Sequence, residues 1–203
     1  ANASVALPAS VTGAAVFTGK LSNAPKDVRG KAPVVLFLHG SSGLGLAAIA
    51  EWQAWLAAQG LASFAPDSMG LPGRINYKSP IDKASYEKVH ALRQSEVDIA
   101  LEALQALPWA DTGRVVLAGT SEGGVPVARH PGRFAGRMIF SWSCEDNYFV
   151  DAHKTHAIAE PVLNVISSAD PFFSPANTWL GNPAAMGHCG AALKAHKAAS
   201  IVL

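Results

Sequence analysis

The stretch "VVLAGTSEGGVPVA", Val115 to Ala128, sets Ser121 among glycines in the order Gly119-Thr120-Ser121-Glu122-Gly123, directly behind a short apolar run. Gly-x-Ser-x-Gly is the spacing of a nucleophile elbow, where a strained strand-to-helix turn lifts a hydroxyl clear of a sheet to attack a carbonyl. A plain strand-to-helix turn is the competing reading. The flanks favour the elbow, because "RVVLAG" reads as a strand and "SEGGVPVAR" as the start of a helix. Gly119 and Gly123 remove Cβ atoms where strand and helix crowd each other, and backbone N–H groups at the helix start favour an oxyanion. Pro126 departs from the pattern and is expected to cost one helix bond or a kink.

Acyl transfer needs two N–H groups aimed at the developing oxyanion. One would come from Glu122, just after the serine. The other would come from Ser41 in "VVLFLHGSSGLG", where a strand ends in His39-Gly40-Ser41. Taken alone, that segment is also a Gly-rich turn with His39 as a packing residue. Other Gly-rich chemistry fails on detail: Ser121 occupies the second glycine of the nearest dinucleotide fingerprint, and "HGSSGLG" lacks the lysine of a P-loop.

An acid is offered by Asp170 in "NVISSADPFFSP", on the loop after a strand, where a carboxylate can hold an imidazole in its useful tautomer. A turn-forming Asp before Pro171 is the alternative, and Asp146 and Asp151 are fallback acids. Only His188 and His196 of the seven histidines follow Asp170. His188, in the loop "AMGHCG", could reach the site, with a supporting loop role as its other reading. His196, in "LKAHKAA", reads as a surface residue. Trp142 and Tyr148 in "SWSCEDNYF", with Phe149, Phe172, Phe173 and Trp179, could line an apolar acyl or alcohol pocket or equally belong to the core.

The elements that must position these residues are legible as short apolar runs bounded by turn residues, at 34–38, 61–65, 114–119, 137–142, 161–167 and 200–203. Their lack of strict alternation suits strands covered on both faces. Helical patterns fall between them, at 46–60 ending on Gly60, at 84–107 halted by Pro108, after Ser121, and at about 152–159 and 189–198. Strands alternating with helices predict an α/β fold, a doubly wound, mostly parallel sheet flanked by helices. The loop 67–80 follows a strand's carboxyl end, where such sheets place ligand sites. With 203 residues and no repeat or linker, residues 1–203 read as one domain.

Hydrophobic residues make up 49% of the chain, charged residues 15%, and the net charge is +1, with no basic run. Nucleic acid and anionic membrane are therefore poor partners, and no apolar stretch is long enough to span a bilayer. A small-molecule ester is the expected partner. Oligomeric state is not legible.

The landmarks "LHGSSGLG", "EWQAWLAAQGLASFAPDSMG", "GTSEGG" and "VISSADPF", in that order, resemble the α/β-hydrolase superfamily and more closely its dienelactone hydrolase-like branch. The resemblance covers about residues 33 to 172. It implies an eight-stranded-type sheet, a triad in the order Ser, Asp, His, and ester or related acyl hydrolysis without metal or cofactor. The enzymes that give the branch its name use a cysteine on a lactone. Here Ser121 stands in that place, so the lactone does not carry over. The family sets its histidine after the final strand, which "SIVL" resembles, so the base is expected beyond Leu203, with His188 as the candidate within the chain. A peptidase or thioesterase would use the same constellation, and a binding protein that lost the histidine would keep the fold.

The two cysteines, Cys144 and Cys189, lack metal-site spacing. In a doubly wound sheet both fall on the same rim, Cys144 after the 137–142 strand and Cys189 after the Asp170 segment, so a disulfide is expected, with two buried thiols as the alternative. A bridge favours a periplasmic or secreted protein over a cytoplasmic one. The small, Ala-rich start "ANASVALPAS" fits a chain left by signal cleavage, although an arbitrary start explains it equally well.

Overall fold

The computed structural model describes residues 2–150 and 159–203. Among them, eight strands form one sheet: β1 (Ala3–Leu7), β2 (Phe17–Lys20), β3 (Ala32–Leu38), β4 (Ala62–Pro66), β5 (Ala110–Thr120), β6 (Gly136–Phe140), β7 (Val162–Ile166) and β8 (Ala198–Val202). Their spatial order is β2-β1-β4-β3-β5-β6-β7-β8. β1 runs antiparallel to both of its neighbours and every other pair is parallel, so the predicted doubly wound sheet is present.

The described helices are α1 (Ala9–Thr12), α2 (Ala47–Ala58), α3 (Lys83–Gln105) and α4 (Gly124–Arg129). On one face, Ile49 and Leu56 of α2 pack over Val35, Phe37, Ala65 and Ala118. The other face carries Val34, Leu36, Leu117 and Ile139 under Val97 and Leu104 of α3 and Val125 of α4. Covered on both sides, β3 is buried at nearly every position instead of alternating. α3 begins where the Asp82 carboxylate accepts the Ser85 N–H at 2.9 Å, an N-cap bond. α2 stops before Gly60, whose φ of 87° needs no Cβ clearance.

The chain leaves β3 for β4 on one side and returns to β5 on the other. The carboxyl ends of β3 and β5 therefore open a crevice at the switch point, where open α/β sheets hold ligands. No helix among the described residues is long and apolar enough to cross a membrane.

Two features differ from the sequence reading. β1 and β2 were not anticipated: "ASVAL" is too short and Ala-rich to announce a strand, yet its pairing with β4 buries Ala3, Val5 and Leu7. The helix expected at 189–198 is replaced by successive turns and then β8. One α-type bond, Leu193 N–H to Cys189 C=O, is followed by two shorter-range ones, Lys194 to Ala191 and His196 to Leu193. A segment this short is marginal as a helix on its own, and its first residue is held elsewhere by the contacts described below. The helix expected at 152–159 falls almost wholly on 151–158, outside the described residues.

Candidate active site

β5 ends at Thr120, and Ser121 follows with φ 52°. A non-glycine residue in this left-handed region costs about 1–3 kcal/mol and persists only where surrounding structure imposes it. The constraint is visible in the two glycines. A Cβ on Gly119 would overlap the Gly123 carbonyl oxygen, and a Cβ on Gly123 would overlap the Leu38 carbonyl oxygen at the end of β3. The turn is thus wedged between two strands with no room for side chains at its flanks. Ser121–Gly123 form one 3-10 turn and α4 starts separately at Gly124. Pro126 consequently lies in the first turn of α4, where a backbone N–H has no intrahelical partner to lose.

The loop after β3 is held by its histidine. His39 is fully buried. Its Nε2 accepts the Ser68 N–H at 3.0 Å, so Nδ1 carries the proton and donates to the Gly40 carbonyl at 2.6 Å. Gly43 N–H binds the same carbonyl. In a trans peptide the Ser41 N–H then points the opposite way from that carbonyl. As the second residue of its one-turn helix, Glu122 also carries an N–H without an intrahelical acceptor. Burial, and next the nearby Arg93 charge, push His39 down to about 4, so it stays neutral as this bonding requires.

Beneath both loops lies a charge cluster that the sequence reading did not find. The Glu122 carboxylate is fully buried. It accepts Arg93 Nη1 at 3.1 Å, Arg74 Nη2 at 3.0 Å and the Tyr77 hydroxyl at 2.6 Å. Burial alone would raise its pKa, but Arg93 and the Arg74 and Tyr77 hydrogen bonds outweigh it and hold the carboxyl below its ordinary value. Burial, reinforced by the Glu122 charge, pushes the Tyr77 phenol well up, so it remains a donor. Arg93, from α3, also reaches the His39 carbonyl at 2.8 Å, Ser68 Oγ at 2.7 Å and Glu96 at 2.9 Å. One guanidinium therefore ties together the loops after β3, β4 and β5, with its five donors in a fixed fork. The available signal was an arginine on the buried stripe of α3, in step with Tyr86, Val89, Val97 and Leu104.

A single cavity is lined by Ser41, Ser121, Ser141, Tyr148, Asp170 and Phe172, among others. Asp170 is buried, and its Oδ1 accepts the N–H groups of Phe172 and Phe173, both at 2.9 Å. Its Oδ2 has no partner among the described residues. Of the aromatic candidates, Tyr148, Phe149, Phe172 and Phe173 line the cavity and Trp179 does not. Trp142 does not: it is fully buried and packs beside Gly124, where a Cβ would lie 3.2 Å from the Trp142 Cβ. The chain turns at Ser141, φ 49°, directly after β6, and this carries Trp142 into the core instead of the cavity.

No histidine among the described residues lines this cavity. His188 is half-buried, and its Nδ1 accepts the Gly190 N–H at 3.0 Å. His90 pairs with the Phe149 carbonyl and His130 with Asp98. His153 and His156, like the fallback acid Asp151, lie outside the described residues. The other fallback, Asp146, gives its carbonyl to Asn182 and does not line the cavity.

The opposite wall is fastened differently. Cys144 and Cys189 form a disulfide with a Cα–Cα distance of 4.7 Å across 45 residues. Asn164 of β7 reinforces it, donating to the Ile139 and Trp142 carbonyls and accepting the Cys189 N–H at 3.0 Å. These contacts fix the start of the segment expected as a helix at 189–198.

A mostly parallel sheet with an elbow at its switch point and an acid-bearing loop after β7 defines the α/β-hydrolase class. Within it, the chain belongs to the dienelactone hydrolase family, whose model matches residues 19–186, and so stands among hydrolases of the esterase type. Solved structures repeat the fold. A dienelactone hydrolase-like promiscuous phosphotriesterase from metagenomic libraries is 20% identical with a TM-score of 0.60, over 100% of this chain and 81% of that one. A cold-adapted esterase from an Arctic intertidal metagenomic library is 14% identical with a TM-score of 0.54, over 98% and 82%. No curated protein matches the sequence.

Proposed function

We propose that this chain is a serine hydrolase that cleaves small apolar esters through an acyl-enzyme. The observation that carries the reading is the left-handed Ser121 at the apex of a turn wedged by Gly119 and Gly123, facing the cavity that also holds Asp170. Ser121 Oγ attacks the ester carbonyl and gives its proton to an imidazole. The oxyanion is received by the N–H groups of Ser41 and Glu122. Collapse expels the alcohol, which takes the proton back from the imidazolium. Water then adds to the acyl-enzyme with the imidazole again as base, and release of the acid restores the serine. Asp170 Oδ2 orients the imidazole, and Oδ1, held by two N–H groups, fixes the carboxylate plane.

The base in this reading is a histidine that approaches Asp170 from the β8 side of the rim, in keeping with the family order of Ser, Asp, His. The cavity's aromatic wall of Tyr148, Phe149 and Phe172 supports an apolar group next to the carbonyl. The disulfide supports an oxidising compartment, periplasmic or extracellular.

The test is turnover of short aryl esters by the full natural protein and by Ser121→Ala. Loss of all turnover above background in Ser121→Ala is expected. Turnover that survives the substitution excludes Ser121 as nucleophile.

A further inference from the structure

α3 carries a buried carboxyl group that the proposed reaction does not touch. Glu96 is 2% exposed, and its Oε2 meets Arg93 Nε at 2.9 Å. Arg93 has nothing left for the other oxygen, since Nη1 serves Ser68 and Glu122 and Nη2 serves the His39 carbonyl. Glu96 Oε1 has no hydrogen-bond partner among the described residues. A buried carboxyl oxygen left bare is costly, and this one borders a cavity of about 260 Å³. The cavity shares no lining residue with the one that holds Ser121. One wall is Phe64 and Pro66 of β4 with Leu71 beyond them, the other is Ile99 and Ala103 of α3, and Asp67 borders it beside Glu96. It lies on the face of the sheet that α3 covers, where Phe64 packs in one cluster with Val97 and Ala100. Its volume is just below the roughly 300–1,000 Å³ of small-molecule sites.

The charges around Glu96 are one cation short. Arg93 and Arg74 are matched by Glu122 and Asp67, so an ionised Glu96 adds a negative charge with no cation of its own. Burial raises Glu96 to about 7, opposed by Arg93 and Arg74 and reinforced by Glu122 and Asp67. We propose that the cavity binds a small apolar primary ammonium, its nitrogen donating to Glu96 Oε1 and its hydrocarbon lying among Phe64, Leu71 and Ile99. The site is independent of the hydrolase reading. An ammonium supplies both the missing charge and the missing donor, with two further donors free for water or the Asp67 carboxylate. No basic side chain lines the cavity, so an anion would find no counter-charge there. The apolar walls likewise exclude a polyol, whose hydroxyls would lose their hydration uncompensated. The occupant would sit against the grip on the neighbouring loops, since Glu96 holds Arg93 and Asp67 precedes Ser68, whose N–H binds His39.

The test is an NMR titration of the isotope-labelled protein with benzylamine, and with benzyl alcohol as its uncharged counterpart, at a pH above the Glu96 value of about 7. Saturable shifts are expected at the amides of Gly70, Leu71, Ala100 and Ala103, which line the cavity. Benzyl alcohol should bind at least about tenfold more weakly, the least that a hydrogen bond to a charged group is worth. Two variants locate the anchor. Glu96→Gln keeps the shape and removes the charge. Ile99→Lys starts from a residue 54% exposed, three positions along the same helix, and brings a competing ammonium to Glu96 without opening the core. Each should weaken benzylamine at least about tenfold, and if Glu96→Gln does not fold, Ile99→Lys decides alone. Three results overturn the site: no saturable shifts at those amides, benzyl alcohol bound as tightly as benzylamine, or benzylamine affinity unchanged in every variant that folds.

Discussion

Over β3, β4 and β5 the rim of the sheet is tied by buried charge, whereas over β6 and β7 it is tied by a covalent bridge and by side chains that cap backbone groups. On the first side, Arg74 and Arg93 face the carboxyl groups of Glu122 and Glu96, all beneath loops whose N–H groups would meet the oxyanion. On the second side, Cys144–Cys189 and Asn164 join two loops, and both Glu145 carboxylate oxygens accept backbone N–H groups, from Met186 and Gly187. A balanced buried network fixes geometry tightly but tolerates no single loss, since each deletion leaves an uncompensated charge. A cross-link acts largely through the unfolded chain and leaves native geometry less sensitive to its removal. The side with Ser121, the proposed nucleophile, should therefore couple stability to catalysis, and the side with Asp170, the proposed acid, should separate them.

The largest effect that would sharpen this contrast is at Asp170, the proposed acid. Asp170→Asn should keep the fold yet lose on the order of 10⁴-fold in kcat, by analogy with the serine-protease triad. Near-normal turnover there, with a large loss in Asp146→Asn, would move the acid to the loop after β6. Next comes Arg93→Met, which strips Glu96 of its partner and leaves Glu122 to Arg74 and Tyr77. Denaturant unfolding should show a loss of about 3–5 kcal/mol, and kcat should fall more than KM changes, with Arg93→Lys recovering only part because a point charge cannot span three loops.

How far these positions were legible in the sequence follows the range of the interactions that set them. Ser121, Gly119 and Gly123 are neighbours in one turn, so their chemistry could be read from residue type alone. Glu122 was legible only for its N–H: the partners of its carboxylate sit 29 to 48 residues away and announce no local pattern. Trp142 looked like a cavity wall because it follows a strand, but the left-handed Ser141 diverts it, a conformation no non-glycine residue advertises. Residues 189–198 have helical composition, and a long-range disulfide plus an Asn164 hydrogen bond override it. The disulfide itself was inferable because topology alone brings both cysteines to one rim.

Removing the bridge should cost stability without a matching loss of rate. The Cys144→Ser, Cys189→Ser double variant should unfold about 4 kcal/mol more easily, from a closed loop of 45 residues in the chain-entropy model, with kcat within a few-fold of wild type. A drop in kcat as large as that of Arg93→Met would dissolve the contrast between the two sides.

The smallest expected effect is in the pH dependence of stability. His39 titrates near 4 in the fold, below its unfolded value of about 6.5. Its contribution is thus complete above about 6.5 and lost as pH falls toward 4, up to about 3 kcal/mol. Burial raises Glu96 to about 7, so its contribution runs the other way, greatest in acid and declining as pH rises toward 7. The two partly cancel. Unfolding measured from pH 7 to 4 should show a steeper acid loss in Glu96→Gln than in wild type, and a shallower one in His39→Gln.

In the proposed reaction the strained turn between β5 and α4 presents a covalent nucleophile. Its most direct test is reaction of the full natural protein with a fluorophosphonate, followed by peptide mapping of the adduct by mass spectrometry. One phosphonyl group on Ser121, and none in Ser121→Ala, is the expected result. An adduct on Ser41 or Ser42, or the absence of any adduct in a protein that turns over esters, would contradict it.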